Sequence, residues 1–361
     1  MIRLEPRAQP SQLYALLSPV LAIALTVFFG AFVMMAAGQE PIPALQMYFL
    51  SPITDPYNRT ELLVKATPLI LIGAGLAICF RSSVWNIGAA GQYTLGAIFA
   101  GYVGLNAPET GFWVLPIYLV MGALGGLLWA AIPALLKVRF NANEILTSLM
   151  LSYVAALLLD YLVRGPWRDP QGFGFPETAE IADSARMILF ADFMPEAFRG
   201  TRVHIGIILA VIAAVALSIM LTRTRRGFSV RVLGVAPRAG AFAGFSEARN
   251  VWFVLMLSGA LAGLAGAIEV SSTIRQLQPD ISASYGFTAI IVAFLGRLNP
   301  IGAIFAGLVL AVSYIGGENA QLFLKLPKNV TGLFQGMLLF FLLATDILIR
   351  FRVRFVTRAE A

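Results

Sequence analysis

The chain of 361 residues contains one cysteine, Cys79, and one histidine, His204. A single thiol excludes an internal disulfide, and the two residues together exclude the Cys- and His-rich clusters that hold structural zinc. Charge is scarce too. Asp, Glu, Lys and Arg make up 12% of the sequence, where a soluble globular domain carries about 25%. With 58% hydrophobic residues, too little charge remains to cover a soluble protein of this length. Lipid is the solvent that such a surface fits. Enzyme motifs are missing as well: there is no GxxxxGK[ST] loop, no HExxH pair and no GxSxG turn. The chain therefore lacks the usual phosphate cradle, zinc pair and activated nucleophile.

What is present is a series of apolar runs. A helix needs about 20 apolar residues to cross the hydrocarbon core. Ten runs are candidates: Tyr14–Met35, Ala66–Phe80, Ile87–Leu105, Phe112–Leu136, Ile145–Val163, Ile205–Leu221, Val251–Val270, Phe287–Leu298, Ile301–Ile315 and Val330–Ile349. The second, third, eighth and ninth are short or closely spaced, which predicts broken or partial spans. The fold expected is an all-α integral membrane protein of about ten transmembrane helices, some of them short or broken. The first run, from about Leu13 to Ala37, exceeds the apolar core of a cleaved signal. We read it as a retained helix.

The net charge of +7 does not require a nucleic acid, because the basic residues lie between apolar runs and at the two ends. With the N-terminus inside, the cytoplasmic side receives Arg3, Arg7, Arg81, Lys137, Arg139, Arg223, Arg225, Arg226, Arg231, Arg238, Arg249 and Arg297, and the tail residues Arg350, Arg352, Arg354 and Arg358. Arg59, Arg164, Arg186 and Lys325 fall on the other side with most of the acidic residues. An even number of spans then places both termini in the cytoplasm. Two loops are long enough for structure of their own: 164–203 outside, rich in proline, and 223–250 inside, strongly basic. The string GAIFAG occurs at Gly96–Gly101 and again at Gly302–Gly307. It is a hint of internal repetition or of shared small-residue packing faces.

Polar groups at membrane depth are costly and mark either interhelical bonds or a pathway. The candidates are Asn86 and Gln92 around the Gly-rich stretch Gly88–Gly91, Asn143 and Glu144 at the start of the fifth span, Glu269 at the end of the seventh, and Asn299 between the eighth and ninth. Asn143, Glu144 and Asn299 border loops, which favours a plain structural role. In the inner loop, Pro237 stands where a short helix begins and Gly244 where it ends. Between them lie Arg238, Ala239, Phe242 and Ala243. Phe242 and Phe245 are apolar with no evident core of their own, which fits docking on a partner or lying on anionic headgroups.

These residues carry a resemblance. NIGAAGQ at Asn86–Gln92, NEI at Asn143–Ile145, GPWRDP at Gly165–Pro170 and RVLGVAPRAGAFAGF at Arg231–Phe245 resemble the permease subunits of bacterial ABC importers. The branch is the one serving simple sugars and nucleosides, related to the branched-chain amino acid permeases, and the nucleoside permeases are most similar. The resemblance runs from about Met47 to Ile349.

It implies a permease without enzyme activity or bound cofactor, sited in the bacterial inner membrane, with ATP and Mg on a separate ABC ATPase subunit. It further implies a second permease subunit, an extracytoplasmic substrate-binding protein and a lipid surround. The inner-loop helix would be the coupling helix, made of Pro237, Arg238, Ala239, Phe242, Ala243 and Gly244, and introduced by Arg226, Gly227, Arg231 and Gly234. Ala236, Arg238 and Ala241 depart from the family pattern, as does Ala90 in the first motif. Nucleosides are the expected substrate and simple sugars the alternative. An ion-driven secondary transporter would want a carboxylate deep in a span. Asp160 and Asp346 are the acidic residues inside the predicted helices.

Overall fold

The computed structural model describes residues 2–7, 11–282 and 284–355; Arg358 lies outside them. In chain order the elements are β1 (Ile2–Pro6), α1 (Gln12–Ala36), α2 (Pro41–Leu45), a π-turn (Gln46–Leu50), α3 (Ser51–Thr54), α4 (Pro56–Arg81), α5 (Ala89–Asn106), α6 (Val114–Phe140) and α7 (Glu144–Arg164). They continue with α8 (Pro195–Phe198), α9 (Gly206–Arg223), α10 (Arg225–Val235), α11 (Pro237–Phe242), α12 (Glu247–Glu269), a π-turn (Val270–Ile274), α13 (Tyr285–Leu295), α14 (Pro300–Leu324), α15 (Asn329–Arg350) and β2 (Phe351–Phe355). Eight helices among the described residues are long and apolar enough to cross a bilayer.

Each of the ten expected runs falls on a helix. The two outside the eight are α5, of 18 residues, and α13, of 11. At 1.5 Å per residue α13 reaches about 16 Å, roughly half the hydrocarbon thickness. In contrast, α4 and α14 run well past the apolar stretches that announced them. Glu61 and Lys65 lie inside α4, and Glu318 and Asn319 inside α14. Asp160 and Asp346 are therefore not the only carboxylates within the helices, as the hydropathy reading had it. Polar side chains end a hydropathy window without ending a helix.

The chain divides into two compact units, Thr60–Ala311 and a second made of Met1–Arg59 with Val312–Ala361. In the larger, α5, α6 and α12 approach so closely that only glycine fits at the contacts. A Cβ on Gly96 would meet the backbone of Gly263, one on Gly126 the Gly259 carbonyl, and one on Gly266 the Tyr93 carbonyl. Small residues at these crossings replace a side-chain layer with direct backbone contact. The 165–205 segment lies across the end of this bundle. Its backbone amides at Thr178, Ile181 and Met187 donate to Leu277, Arg275 and Ser271 carbonyls at 3.0, 3.0 and 3.1 Å. The extended segment thus satisfies its own polar groups where no helix would. Both GAIFAG copies sit on helices, α5 and α14, but against different partners: Gly101 packs on Leu277, Gly307 on Ile70.

In the smaller unit α1 packs on α15, and β1 pairs antiparallel with β2, Ile2 opposite Phe355 and Pro6 opposite Phe351. This ribbon lies outside the all-α expectation. It places the first and last described segments at one end of the unit. Ser18 Oγ reaches Thr345 Oγ1 at 3.1 Å and donates to Asp346 at 2.5 Å, so the polar groups of α1 and α15 satisfy each other. Tyr48 stacks on Phe334 with ring centroids 4.4 Å apart and its hydroxyl lies 2.9 Å from Ser313 Oγ.

Candidate functional site

All the polar features singled out in the sequence except Glu269 gather at one end of the larger unit. There α4 stops at Arg81, and the chain crosses to α5 through 82–88 without helix. The break is held by a closed network. Asn86 Nδ2 donates to Gln92 Oε1 at 2.9 Å and to Ser258 Oγ at 3.1 Å, and Gln92 Nε2 donates back to Asn86 Oδ1 at 3.0 Å. Asn86 Oδ1 also accepts from the Gly88 amide at 3.1 Å. All three side chains are fully buried, so the amides find their partners within the chain, on α5 and α12. Ser82 accepts from Asn250 Nδ2 at the start of α12, which ties the beginning of the break to the same helix.

Asn143 and Asn299 follow the same local rule as Asn86. Asn143 Oδ1 accepts from the Ile145 amide at 2.9 Å and caps α7; Asn299 Oδ1 accepts from the Ile301 amide at 2.9 Å at the start of α14. An Asn side chain bonded to the amide two residues on stands in for the missing turn at a helix start. Glu144, in the first turn of α7, is buried and pairs with Lys137 at 2.5 Å. It also accepts from the Trp85 amide at 3.4 Å. Thus Asn86, Gln92, Asn143 and Glu144 act around one break. Glu269 stands apart, buried at the other end of α12, where the helix passes into a π-turn and Arg275 takes φ +64°. A left-handed residue there turns the chain back over the bundle.

The inner loop is built on the same end. Thr224 caps α10 through the Gly227 amide at 3.1 Å, and Gly227 lies against the Met220 and Leu221 backbone. Gly234 lies against the Arg81 carbonyl, and Ser83 Oγ donates to the Gly234 carbonyl at 2.8 Å. These contacts fix α10 to the end of α4. α11 follows after Ala236, begins with Pro237 at its first position and closes on Gly244 at φ +85°. The Phe245 amide donates back to the Gly240 carbonyl at 3.0 Å, the closing bond that a left-handed glycine after a helix permits.

The two phenylalanines separate. Phe245 packs edge-on against Phe228, 5.8 Å between centroids, while Phe242 is 96% exposed. Pro237, Arg238, Ala239 and Ala243 are exposed with it, whereas Arg231 is half-buried. Arg226 lies over the Phe253 ring at 5.2 Å. What results is a short helix presenting an aromatic tip, joined through α10 and the 82–88 break to α4, α5 and α12.

Two connections escaped the sequence reading. Ser82 with Asn250 is one. The other is Glu61 with Arg202: the guanidinium donates through Nε at 3.2 Å and Nη2 at 2.5 Å to the two carboxylate oxygens. They lie 141 residues apart, and no local pattern announces either pair.

A body of apolar helices with a capped break and an exposed helical tip on a basic loop is the architecture of a polytopic membrane protein. Residues 58–343 match the family described as branched-chain amino acid transport system / permease component, and the chain belongs to it. It is 33% identical to the glucose ABC transporter permease of Haloferax volcanii, over 98% of this chain and 93% of that one. It is 31% identical to the guanosine ABC transporter permease of Bacillus subtilis, over 93% and 95%. A nucleoside ABC transporter permease of Lactococcus lactis shares 28% over 83% of each. No solved structure matches the chain. The protein is thus a multi-pass ABC transporter permease, a family whose members are not themselves enzymes.

Proposed function

We propose that this chain moves nucleosides inward across the bacterial inner membrane, as one of two permease subunits of an importer driven by ATP and Mg on a separate ATPase. The single observation that carries the coupling is α11. A helix that exposes Phe242 while Gly234 and Gly227 seat its base on the bundle is shaped to enter a groove and transmit its motion. An importer of this kind takes substrate from an extracytoplasmic binding protein. ATP binding closes the ATPase dimer, the coupling helices follow, and access switches from outside to inside. In this reading the α11 end and both chain termini face the cytoplasm, α5 and the half-length α13 bring the membrane helices to ten, and the 165–205 segment faces the binding protein.

Substrate rests on GPWRDP at Gly165–Pro170 and on relatives that carry guanosine and other nucleosides. A second reading, a simple sugar, is favoured by the Haloferax relative; a nucleoside and a sugar share the hydroxylated ring. The test is uptake of radiolabelled guanosine, adenosine and glucose by cells lacking or re-expressing the chain, with and without ATP depletion. Chain- and ATP-dependent guanosine uptake establishes the first reading. A glucose signal without a nucleoside signal moves the substrate to sugars. Uptake by the purified chain in ATP-free liposomes would overturn both in favour of an ion-driven transporter.

A further inference from the structure

A groove runs along the surface of α5 and α6 near the turn that joins them. It holds about 260 Å³ and is lined by Ile98, Phe99 and Tyr102 of α5, Met121 of α6, and Trp167. Trp167 belongs to the segment that follows α7. Its amide donates to the Leu162 carbonyl at 2.9 Å, and its ring leans on Tyr102 with centroids 6.2 Å apart and 31° between the planes.

The groove is graded in polarity. Tyr102 lies four residues before the end of α5 and Ile98 eight, about 6 and 12 Å along the axis. The mouth therefore carries a phenol and an indole, and the floor only Ile98, Phe99 and Met121. Among the described residues, neither the Tyr102 hydroxyl nor the Trp167 Nε1–H has a hydrogen-bond partner. Arg168, the next residue, is exposed, has no ion-pair partner among the described residues, and lays its guanidinium beside Gly174.

The surroundings are those of a membrane boundary. α6 is long and apolar enough to cross a bilayer, and Ile117, Val120, Leu124 and Leu128 are exposed along it. Phe112 and Trp113 are exposed where it begins, as aromatic residues are at the level of the headgroups. A neighbouring helix about 10 Å across fills roughly 400 Å³ in each turn, more than the groove contains. A single hydrocarbon chain is narrow enough to enter.

We propose that the groove binds one anionic phospholipid. An acyl chain lies over Ile98, Phe99 and Met121 beneath Trp167, and the phosphate accepts from the Tyr102 hydroxyl, the Trp167 Nε1–H and Arg168, swung in from Gly174. The tail covers apolar surface, and the headgroup supplies charged acceptors for three donors that the chain leaves unmatched. The lipid thereby clamps the segment after α7 onto α5 and α6. The inference rests on α6 crossing the membrane and not on what is transported.

Trp167 itself reports the test. The purified protein is placed in phosphatidylcholine bilayers containing increasing fractions of phosphatidylglycerol with brominated chains, which quench an indole on contact. Subtracting the fluorescence of Trp167→Phe isolates the signal of Trp167. Its quenching is expected to saturate while the brominated lipid is still a minor component. Arg168→Gln combined with Tyr102→Phe should raise the fraction that gives half-quenching at least about fivefold, the scale of one lost hydrogen bond. Quenching that merely grows in proportion to the brominated fraction would mean bulk lipid and overturn the site. No quenching would mean that protein covers the groove, and would overturn it equally. An unchanged half-point in the double variant would overturn the headgroup contact.

Discussion

Asn86 and Gln92 form a reciprocal pair of amides, each donating to the other's oxygen, at 2.9 and 3.0 Å. The bonds close across the start of α5, where the backbone has left α4 and not yet resumed a helix. Each amide is buried, so each depends on the other for the hydrogen bonds that water would have supplied.

Removing both members should therefore cost less than the two single losses added together. Asn86→Ala or Gln92→Ala leaves a buried amide without its partner and should cost about 1–3 kcal/mol. The double variant should lose less than the sum, with a coupling of about 0.5–3 kcal/mol. Thermal unfolding of the purified proteins in detergent measures this; strictly additive losses would mean the pair does not act as a unit.

The two phenylalanines of the inner loop should part in their effects. Phe242→Ala removes an exposed tip and should leave the folded protein at wild-type stability while lowering partner-stimulated ATPase activity. Phe245→Ala removes a ring packed on Phe228 and should lower stability. Gly234→Ala drives a methyl group into the Arg81 carbonyl, so α10 must shift and coupling should fall although the chain still inserts. ATPase assays with the partner, beside melting curves, separate the three.

Arg202→Ala leaves the Glu61 carboxylate, 5% exposed, without its guanidinium. Breaking a buried pair from one side costs about 3–5 kcal/mol. Arg202 itself is half-exposed, and water lowers the expected loss to about 1–3 kcal/mol. Adding Glu61→Gln should recover part of it. Equal stability of wild type and Arg202→Ala would show that the pair contributes nothing.

His204, just ahead of α9 and outside the spans, adds a pH dependence. Its Nδ1 accepts from the Gly206 amide at 3.2 Å, and burial pushes the imidazole down to about 4. Protonation would charge a buried ring and turn that acceptor into a donor facing an N–H. The folded state thus holds the proton less well than the unfolded chain, whose histidine titrates near 6.5. Its contribution is complete above about pH 6.5 and fades as pH falls toward 4, by about 3 kcal/mol in all. The difference in melting temperature between wild type and His204→Gln, followed from pH 7.5 to 4.5, should shrink or reverse on that interval. A difference independent of pH would refute the assignment.

Much of this was legible from sequence. Hydropathy placed a helix under each apolar run, and the proline and glycine bounded the inner-loop helix to within two residues. The limits of α4 and α14 were not legible, because Glu61, Lys65 and Glu318 depress the hydropathy of turns that remain helical. The β1–β2 ribbon did leave a signal, in the alternation of FRVRF at Phe351–Phe355, which has the period of a strand. The pairs Glu61–Arg202 and Ser82–Asn250 left none, since nothing local relates residues so far apart in the chain. At the candidate site, Asn143 and Asn299 could be read as helix caps from their place before apolar runs. The mutual pairing of Asn86 and Gln92 could not, as it depends on the non-helical path of the backbone through 82–88.

The glycine contacts among α5, α6 and α12 bear on how force would spread. Helices that slide do so over a cushion of side chains, which repack by small steps. Gly96, Gly126, Gly259 and Gly263 leave no cushion, because backbone rests on backbone. The three helices are therefore a stiff lever. In the proposed coupling, a push delivered at the Asn86 break would swing all of them together, with the yielding left to other parts of the chain.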